Sequence, residues 1–430
     1  MRKLISSIST GVQGTIEVPG DKSISHRSVM FGAISHGTTV AHHFLMSDDC
    51  KSTIRAFRDM GVAIAVSNDT VTIKGAGFAG LKQPSHELDM GNSGTTTRLM
   101  MGILSGLPFT TKLIGDDSLS KRPMKRVSEP LATMGATIST TNGHLPATVT
   151  GTKLNAVSYQ LQTASAQVKS AMILAALQAD GPSTITEKLP TRNHTEIMLR
   201  AFGADVKTAS DQLTITVEPN PELHGIELTV PGDISSAAYF LAAGLIVPNS
   251  KVTLKGVGVN PTRTGLLKVI QRMGGNIAFS NQDDKTEPIA DITVSTSALQ
   301  PIEVTEAEIP SMVDELPVVA LLCACANGVS HITGASELRV KETDRIAVIT
   351  EEFKKLGIAI EELPDGFVID GTKPWHATGE SLDSHGDHRV GMVLAIAALI
   401  ADKDMTLIGD ESVAISYPNF FEDLASLVRG

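Results

Sequence analysis

Five times along the chain a short helical pattern closes on a bulky residue followed by glycine and runs directly into an alternating strand pattern. The glycines are Gly61, Gly135, Gly203, Gly274 and Gly357. The first copy reads Ala56 to Met60, then Gly61, then Val62-Ala63-Ile64-Ala65-Val66. The second reads Leu131-Ala132-Thr133-Met134-Gly135, then Ala136-Thr137-Ile138. Glycine closes a helix cheaply because it alone enters the left-handed region without a steric penalty. Each copy is therefore a helix, a stop and a strand. Intervals of 74, 68, 71 and 83 residues mean that one supersecondary unit of about 70 residues recurs. A recurrent α/β unit of that size restricts the fold more than any single motif does.

A sixth copy is split. Phe421 to Gly430 has the character of the unit's helix and has no strand after it. Thr15-Ile16-Glu17-Val18 is a strand without a preceding helix. The N-terminal segment is expected to complete the last unit, which puts both termini in one domain. A half-chain repeat agrees: Val18-Pro19-Gly20-Asp21 returns as Val230-Pro231-Gly232-Asp233, 212 residues later. These segments are expected to be the strands joining two lobes. One lobe is residues 21–232; the other is 1–20 with 233–430. About 210 residues each suffices for a separate core.

Composition removes several functional classes. No apolar run approaches 18 residues, the N-terminus lacks a signal-peptide pattern, and Cys50, Cys323 and Cys325 form neither a disulfide framework nor a zinc spacing. A cytoplasmic protein that binds no membrane is expected. Net charge is −11 and only 4% of residues are aromatic, which disfavours nucleic acid as a partner.

Against this acidic background, cations collect where helices begin. Gly20-Asp21-Lys22-Ser23-Ile24-Ser25-His26-Arg27 follows a strand and opens an apolar helix. Free backbone N–H groups and the helix dipole favour an anion there, and Lys22, Ser23 and Arg27 add donors. Gly91-Asn92-Ser93-Gly94-Thr95-Thr96-Thr97-Arg98 repeats the theme before Leu99-Met100-Met101, where a helix is expected to start. Lys121-Arg122-Pro123-Met124-Lys125-Arg126 places four cations ahead of the second unit's helix, with a solvated charge run as the alternative. Ser165-Ala166-Gln167-Val168-Lys169-Ser170, Ser311 to Glu315, Lys341-Glu342-Thr343-Asp344-Arg345 and Gly386-Asp387-His388-Arg389 each open a further helix. Parallel helices would bring these first turns together. Two such clusters facing across the joining strands would form a cleft for a small, multiply charged anion. His385 and His388 stand three apart in a glycine turn, a spacing that does not specify a metal. Cys323 and Cys325 read as packing residues on an apolar helix.

The ordered set Gly20–Arg27, Gly91–Arg98, Arg122-Pro123-Met124, Ser165-Ala166-Gln167, Lys341–Arg345 and Asp387-His388-Arg389 resembles the 5-enolpyruvylshikimate-3-phosphate synthase family over essentially all 430 residues. The resemblance implies a two-domain inverse α/β barrel, each domain three βαβαββ units, six in total. It implies transfer of enolpyruvyl from phosphoenolpyruvate to the 5-hydroxyl of shikimate 3-phosphate, in aromatic amino-acid biosynthesis, by a monomer without metal or cofactor. By resemblance, Lys22, Ser23, Arg27, Ser165, Ala166, Gln167, Arg192, Asp314 and Lys341 hold shikimate 3-phosphate. Lys22, Asn92, Gly94, Arg122, Gln167, Arg345 and Arg389 hold phosphoenolpyruvate. Asp314 takes the hydroxyl proton, and Glu342 with Lys22 handles the proton at the methylene carbon. Glyphosate is a ligand of the same site in this family.

Several positions depart from the family's best-known branch: Leu99, Ala166, Thr191-Arg192, Glu337 and Ile415 replace proline, serine, a serine-lysine pair, asparagine and lysine. The sister enolpyruvyl transferase acting on UDP-N-acetylglucosamine is the closest alternative. It usually has asparagine after the first lysine and often a cysteine near position 115. Here Ser23 follows Lys22, and residues 105–125 contain no cysteine.

Overall fold

A computed structural model describes residues 1–8, 10–283 and 287–428. All five stop glycines have positive φ: +86° at Gly61, +91° at Gly135, +104° at Gly203, +76° at Gly274 and +81° at Gly357. The helices they follow are Asp48–Asp59, Lys125–Ala132, His194–Ala201, Gly265–Arg272 and Arg345–Lys355. The strands they introduce are Ala63–Ser67, Thr137–Thr141, Val206–Thr208, Asn276–Asp283 and Ala359–Leu363. The sixth helix spans Phe420–Val428; its expected stop, Gly430, lies outside the described residues.

The chain divides into two compact units, Gly20–Val230 and Met1–Pro19 with Pro231–Gly430. In the first unit three four-stranded sheets share one plan, a parallel pair followed by two antiparallel pairs. The first sheet orders Glu227–Thr229, His36–His42, Thr70–Ala76 and Ala63–Ser67. The second orders Leu88–Asp89, Thr110–Ile114, His144–Thr150 and Thr137–Thr141. The third orders Ser158–Gln160, Ser183–Thr186, Thr214–Val217 and Val206–Thr208. Alternation selects the buried face: Val71 and Ile73 point inward from the same strand.

The second unit repeats the plan with two four-stranded sheets and one of three strands. Here the structure corrects the expected role of the N-terminal strand. Gln13–Glu17, which contains most of the Thr15–Val18 segment, runs parallel to Lys251–Gly258 in the fourth unit's sheet. The sixth sheet is instead joined by Arg2–Ile5, antiparallel to Met405–Ile408, with Ser381–Asp383 on the other side. The N-terminal segment therefore serves two sheets.

Three helices in each unit are buried almost all round: Lys22–Ile34, Gly94–Leu104 and Ala166–Ala176 in one, Ile234–Ile246, Leu316–Ala324 and His388–Ala398 in the other. They are buried because each packs among sheets and sister helices; in the first three, apolar residues predominate toward the C-terminal turns and buried polar groups at the N-terminal ones. The Gly94 helix begins five residues earlier than its apolar run at Leu99, because the Ser93 hydroxyl caps it by accepting from Thr96 N. Cys323 is buried in its helix, where burial pushes the thiol up to about 12; Cys325 sits at that helix's C-terminal end.

Candidate functional site

In the Gly20–Val230 unit the candidate residues stand at the first turns of the three buried helices and on the loops beside them. Asp21 caps the first helix by accepting from Ile24 N. Lys22 begins it and is paired with Asp49, a mostly buried carboxylate in the first turn of the next helix. Arg27, one turn further on, is buried and fixed on three sides: Nε donates to Thr195 Oγ1 (2.7 Å), Nη2 to Ser170 Oγ (2.9 Å) and Nη1 to the Ser23 carbonyl (3.0 Å). Ser165 caps the third helix, accepting from Val168 N, so Ser165, Ala166 and Gln167 form its opening turn.

Gln167 links this helix to the second. Its Nε2 donates to Thr95 Oγ1 at 3.0 Å and its Oε1 accepts from Arg98. Arg122 donates Nη2 to Asn92 Oδ1 at 2.6 Å and Nη1 to the Asn92 carbonyl at 3.3 Å. Arg98 and Arg122 both approach Gly94. A Cβ there would lie 3.4 Å from Arg98 Nη1 and 3.5 Å from Arg122 Nη1. Two guanidinium groups and a helix N-terminus thus meet where a side chain is missing, an arrangement suited to a phosphate or carboxylate. Behind them a buried polar chain joins His26 Nδ1, Thr53 Oγ1 and Thr96 Oγ1, with contacts of 2.6 and 2.7 Å. Burial lowers the His26 pKa to about 3, so this imidazole is neutral. Arg192 is half-buried on the loop after Ser183–Thr186.

In the other unit the centre is Arg345, the first residue of its helix and 1% exposed in its side chain. Nε and Nη2 reach Asp387 Oδ2 and Oδ1 at 2.7 and 3.2 Å, and Nη2 reaches Glu342 Oε2 at 2.6 Å. Asp387 also caps the His388–Ala398 helix, accepting from Arg389 N at 2.9 Å. Burial pushes the Asp387 carboxyl up, but the charge and hydrogen bonds of Arg345 together with the neighbouring His388 bring the group below the usual carboxylate range. Asp314 lies between two guanidinium groups, with Oδ1 3.7 Å from Arg345 Nη1 and Oδ2 3.5 Å from Arg389 Nη2. Lys341 is 3.9 Å from Glu337. Burial lowers the Lys341 pKa, with Asp314 and Glu337 opposing the shift.

The expected residues therefore fall into two groups, one per unit. Lys22, Ser23, Arg27, Asn92, Gly94, Arg122, Ser165, Ala166, Gln167 and Arg192 belong to Gly20–Val230. Asp314, Lys341, Glu342, Arg345 and Arg389 belong to the other. Lys341 and Glu342 precede their helix rather than lying in it, following the Ser336–Val340 turn. His385 and His388 do not act as a pair: His385 Nε2 contacts Glu352 Oε1 at 2.8 Å, whereas His388 is buried in the first turn of its helix. Asp49, Arg98 and Asp387 complete the arrangement and were not singled out from the sequence as site residues. The available signal for Asp387 was an acidic residue at a helix start beside His388 and Arg389; for Asp49 it was only the Ser47-Asp48-Asp49 pattern of a helix N-terminus.

Residues 7–424 match the family model described as EPSP synthase (3-phosphoshikimate 1-carboxyvinyltransferase). The chain is 56% identical over 430 residues to the 3-phosphoshikimate 1-carboxyvinyltransferase of Lactiplantibacillus plantarum, covering 100% of both chains. It is 52% identical over 427 residues to that of Limosilactobacillus fermentum, covering 99% of each. A solved EPSP synthase structure from Acinetobacter baumannii superposes with a TM-score of 0.87 at 44% identity, over 99% of this chain and 97% of that one. The enolpyruvyl transferase NikO from Streptomyces tendae shares the fold at a TM-score of 0.80 and 19% identity, over 99% of this chain and 97% of its own.

Proposed function

This chain belongs to the EPSP synthase family, the 3-phosphoshikimate 1-carboxyvinyltransferases, and from that membership we propose how its residues divide the reaction. The reaction joins the enolpyruvyl group of phosphoenolpyruvate to the 5-hydroxyl of shikimate 3-phosphate and releases phosphate. Lys22, Ser23, Arg27, Ser165, Ala166, Gln167, Arg192, Asp314 and Lys341 hold shikimate 3-phosphate. Lys22, Asn92, Gly94, Arg122, Gln167, Arg345 and Arg389 hold phosphoenolpyruvate.

The observation that carries the division is the placing of Asp314 between Arg345 and Arg389. A carboxylate base is useful where an alcohol must lose a proton, and the adjacent guanidinium groups suit the carboxylate and phosphate of the other substrate. Asp314 accepts the 5-hydroxyl proton as that oxygen bonds to the enol carbon. Glu342, paired with Arg345, supplies the proton that the methylene carbon gains, together with Lys22. The roles reverse as phosphate leaves and the double bond reforms. Arginines and helix N-termini neutralise the charge of both substrates, so the residues need no metal for this task.

Relatives at 52 and 56% identity carry the shikimate name, which favours this substrate over UDP-N-acetylglucosamine. We place the enzyme in the cytoplasm as a monomer that binds neither nucleic acid nor membrane. In support, the net charge is −11 and no helix among the described residues is long and apolar enough to cross a membrane. A phosphate-release assay tests the reading. Release is expected only with phosphoenolpyruvate and shikimate 3-phosphate together, without added metal. Activity with UDP-N-acetylglucosamine in place of shikimate 3-phosphate would overturn the substrate, and chelator-sensitive activity restored by a divalent ion would overturn the metal-free mechanism.

A further inference from the structure

Inside the Gly20–Val230 unit lies a charged cluster that takes no part in the chemistry above. Lys169 has a side chain 1% exposed, yet it carries an ammonium. Its Nζ is 2.9 Å from Glu187 Oε2, 2.7 Å from Glu196 Oε1 and 3.3 Å from the Thr191 carbonyl. The two carboxylates are 3% and 2% exposed. The Thr191 hydroxyl donates to the remaining Glu187 oxygen. These contacts follow the loop between Ser183–Thr186 and His194–Ala201 from end to end. Glu187 is its first residue, Thr191 lies within it, and Glu196 sits in the first turn of the helix after it. Arg192 is next to Thr191 on the same loop.

Lys169 itself lies one turn into the helix opened by Ser165, Ala166 and Gln167, and its N–H donates to the Ser165 carbonyl. The neighbouring residues run a second bridge in parallel: Ser170 Oγ to Thr195 Oγ1 at 2.6 Å, with Arg27 donating to both. Burying two carboxylates around one ammonium is seldom a good source of stability, since the desolvation cost is comparable to the attraction. Such groups are better suited to imposing one geometry on the backbone they touch.

We propose that Lys169 is a positioning residue: with Glu187 and Glu196 it pins the 187–193 loop to the Ser165 helix, and so sets Arg192 where it meets the phosphate of shikimate 3-phosphate. The inference rests on the role given to Arg192 above. It assigns the cluster to one substrate only, because no contact of Lys169 described here reaches Asn92, Gly94 or Arg122.

The test removes the charges without emptying the space, in the triple variant Lys169→Met/Glu187→Gln/Glu196→Gln, with folding checked by circular dichroism. A displaced charge-assisted phosphate contact predicts a rise of about 10- to 100-fold in KM for shikimate 3-phosphate. KM for phosphoenolpyruvate and kcat should stay within about twofold, the part of the result a general loss of structure would not give. Combined with Arg192→Ala, the triple change should add no further penalty, since both act on one contact. If the triple variant does not fold, Thr191→Val, which removes only the hydroxyl grip on Glu187, should show the same selective rise on a smaller scale. Arg192→Ala alone separates the premises. An unchanged KM for shikimate 3-phosphate there removes Arg192 from the phosphate. A raised KM there, with a folded cluster variant that binds normally or is fully additive with it, overturns the positioning role alone.

Discussion

Asp387 grips Arg345 with both carboxylate oxygens, at 2.7 and 3.2 Å, while its Oδ1 also caps the helix that carries Arg389. One buried carboxylate thus sets the positions of two arginines from different helices. Asp387→Asn keeps a capping oxygen but removes the charge opposite Arg345. Charge-assisted hydrogen bonds are worth about 1.5–3 kcal/mol, so KM for phosphoenolpyruvate should rise about 10- to 100-fold. KM for shikimate 3-phosphate should change much less. Initial rates with each substrate varied in turn give the comparison; equal rises for both would contradict a role confined to the two arginines.

Asp314→Asn tests the base. General acid–base catalysis typically contributes 10²–10⁴-fold, and turnover should fall by roughly that factor. Calorimetric binding of shikimate 3-phosphate should persist, because the cationic contacts remain. Near-normal turnover would remove Asp314 from the reaction.

Gly94→Ala probes the space beside Arg98 and Arg122. The added methyl would sit 3.4 and 3.5 Å from their Nη1 atoms, close to ordinary contact, so the fold should tolerate it. The same methyl would intrude where the anion is proposed to lie. Glyphosate is longer than phosphoenolpyruvate, so its inhibition should weaken more than substrate KM rises. Inhibition constants and KM measured on both proteins decide this, and equal losses would show that Gly94 does not discriminate.

Lys341 gives a pH signature. Burial lowers its pKa from the ordinary lysine value, so the ammonium is lost at a lower pH than a free lysine would lose it. Because kcat/KM reports the free enzyme, kcat/KM for shikimate 3-phosphate should fall on the alkaline side, at a pH below the normal lysine range. Lys341→Arg keeps its charge throughout and should move that fall to higher pH. Superimposable profiles would assign the alkaline limb to another group.

The parts of this structure that were legible in the sequence are those fixed by local chemistry. The five glycines announced themselves because positive φ at a helix end selects glycine almost alone. Asp21 and Asp233 were visible as repeated segments, and each does cap a helix. Pairing over long distances was not legible. Thr15–Val18 and Arg2–Ile5 are both short segments with β-branched or apolar residues, and only tertiary register decides which strand joins which sheet. Lys169 looked like one donor among several at a helix start; its partners lie 18 and 27 residues away on a different loop and helix. Arg98 closed a motif without obvious purpose, because the amide of Gln167 that orients it comes from the next unit of the repeat.

Arg2–Ile5 pairs with Met405–Ile408 across almost the whole chain. On a ribosome Arg2–Ile5 therefore waits until its distant partner Met405–Ile408 has been made. The Gly20–Val230 unit is continuous in sequence and can complete its sheets while synthesis continues. The other unit cannot close its sixth sheet until Met405–Ile408 has been made, and that closure carries the largest loop entropy of any strand pairing described here. Until then Arg2–Ile5 is an unpaired strand with Ile5 and Leu4 exposed to solvent or to other chains. Its own Arg2 and Lys3 keep it cationic during that wait, which opposes edge-to-edge association between nascent copies.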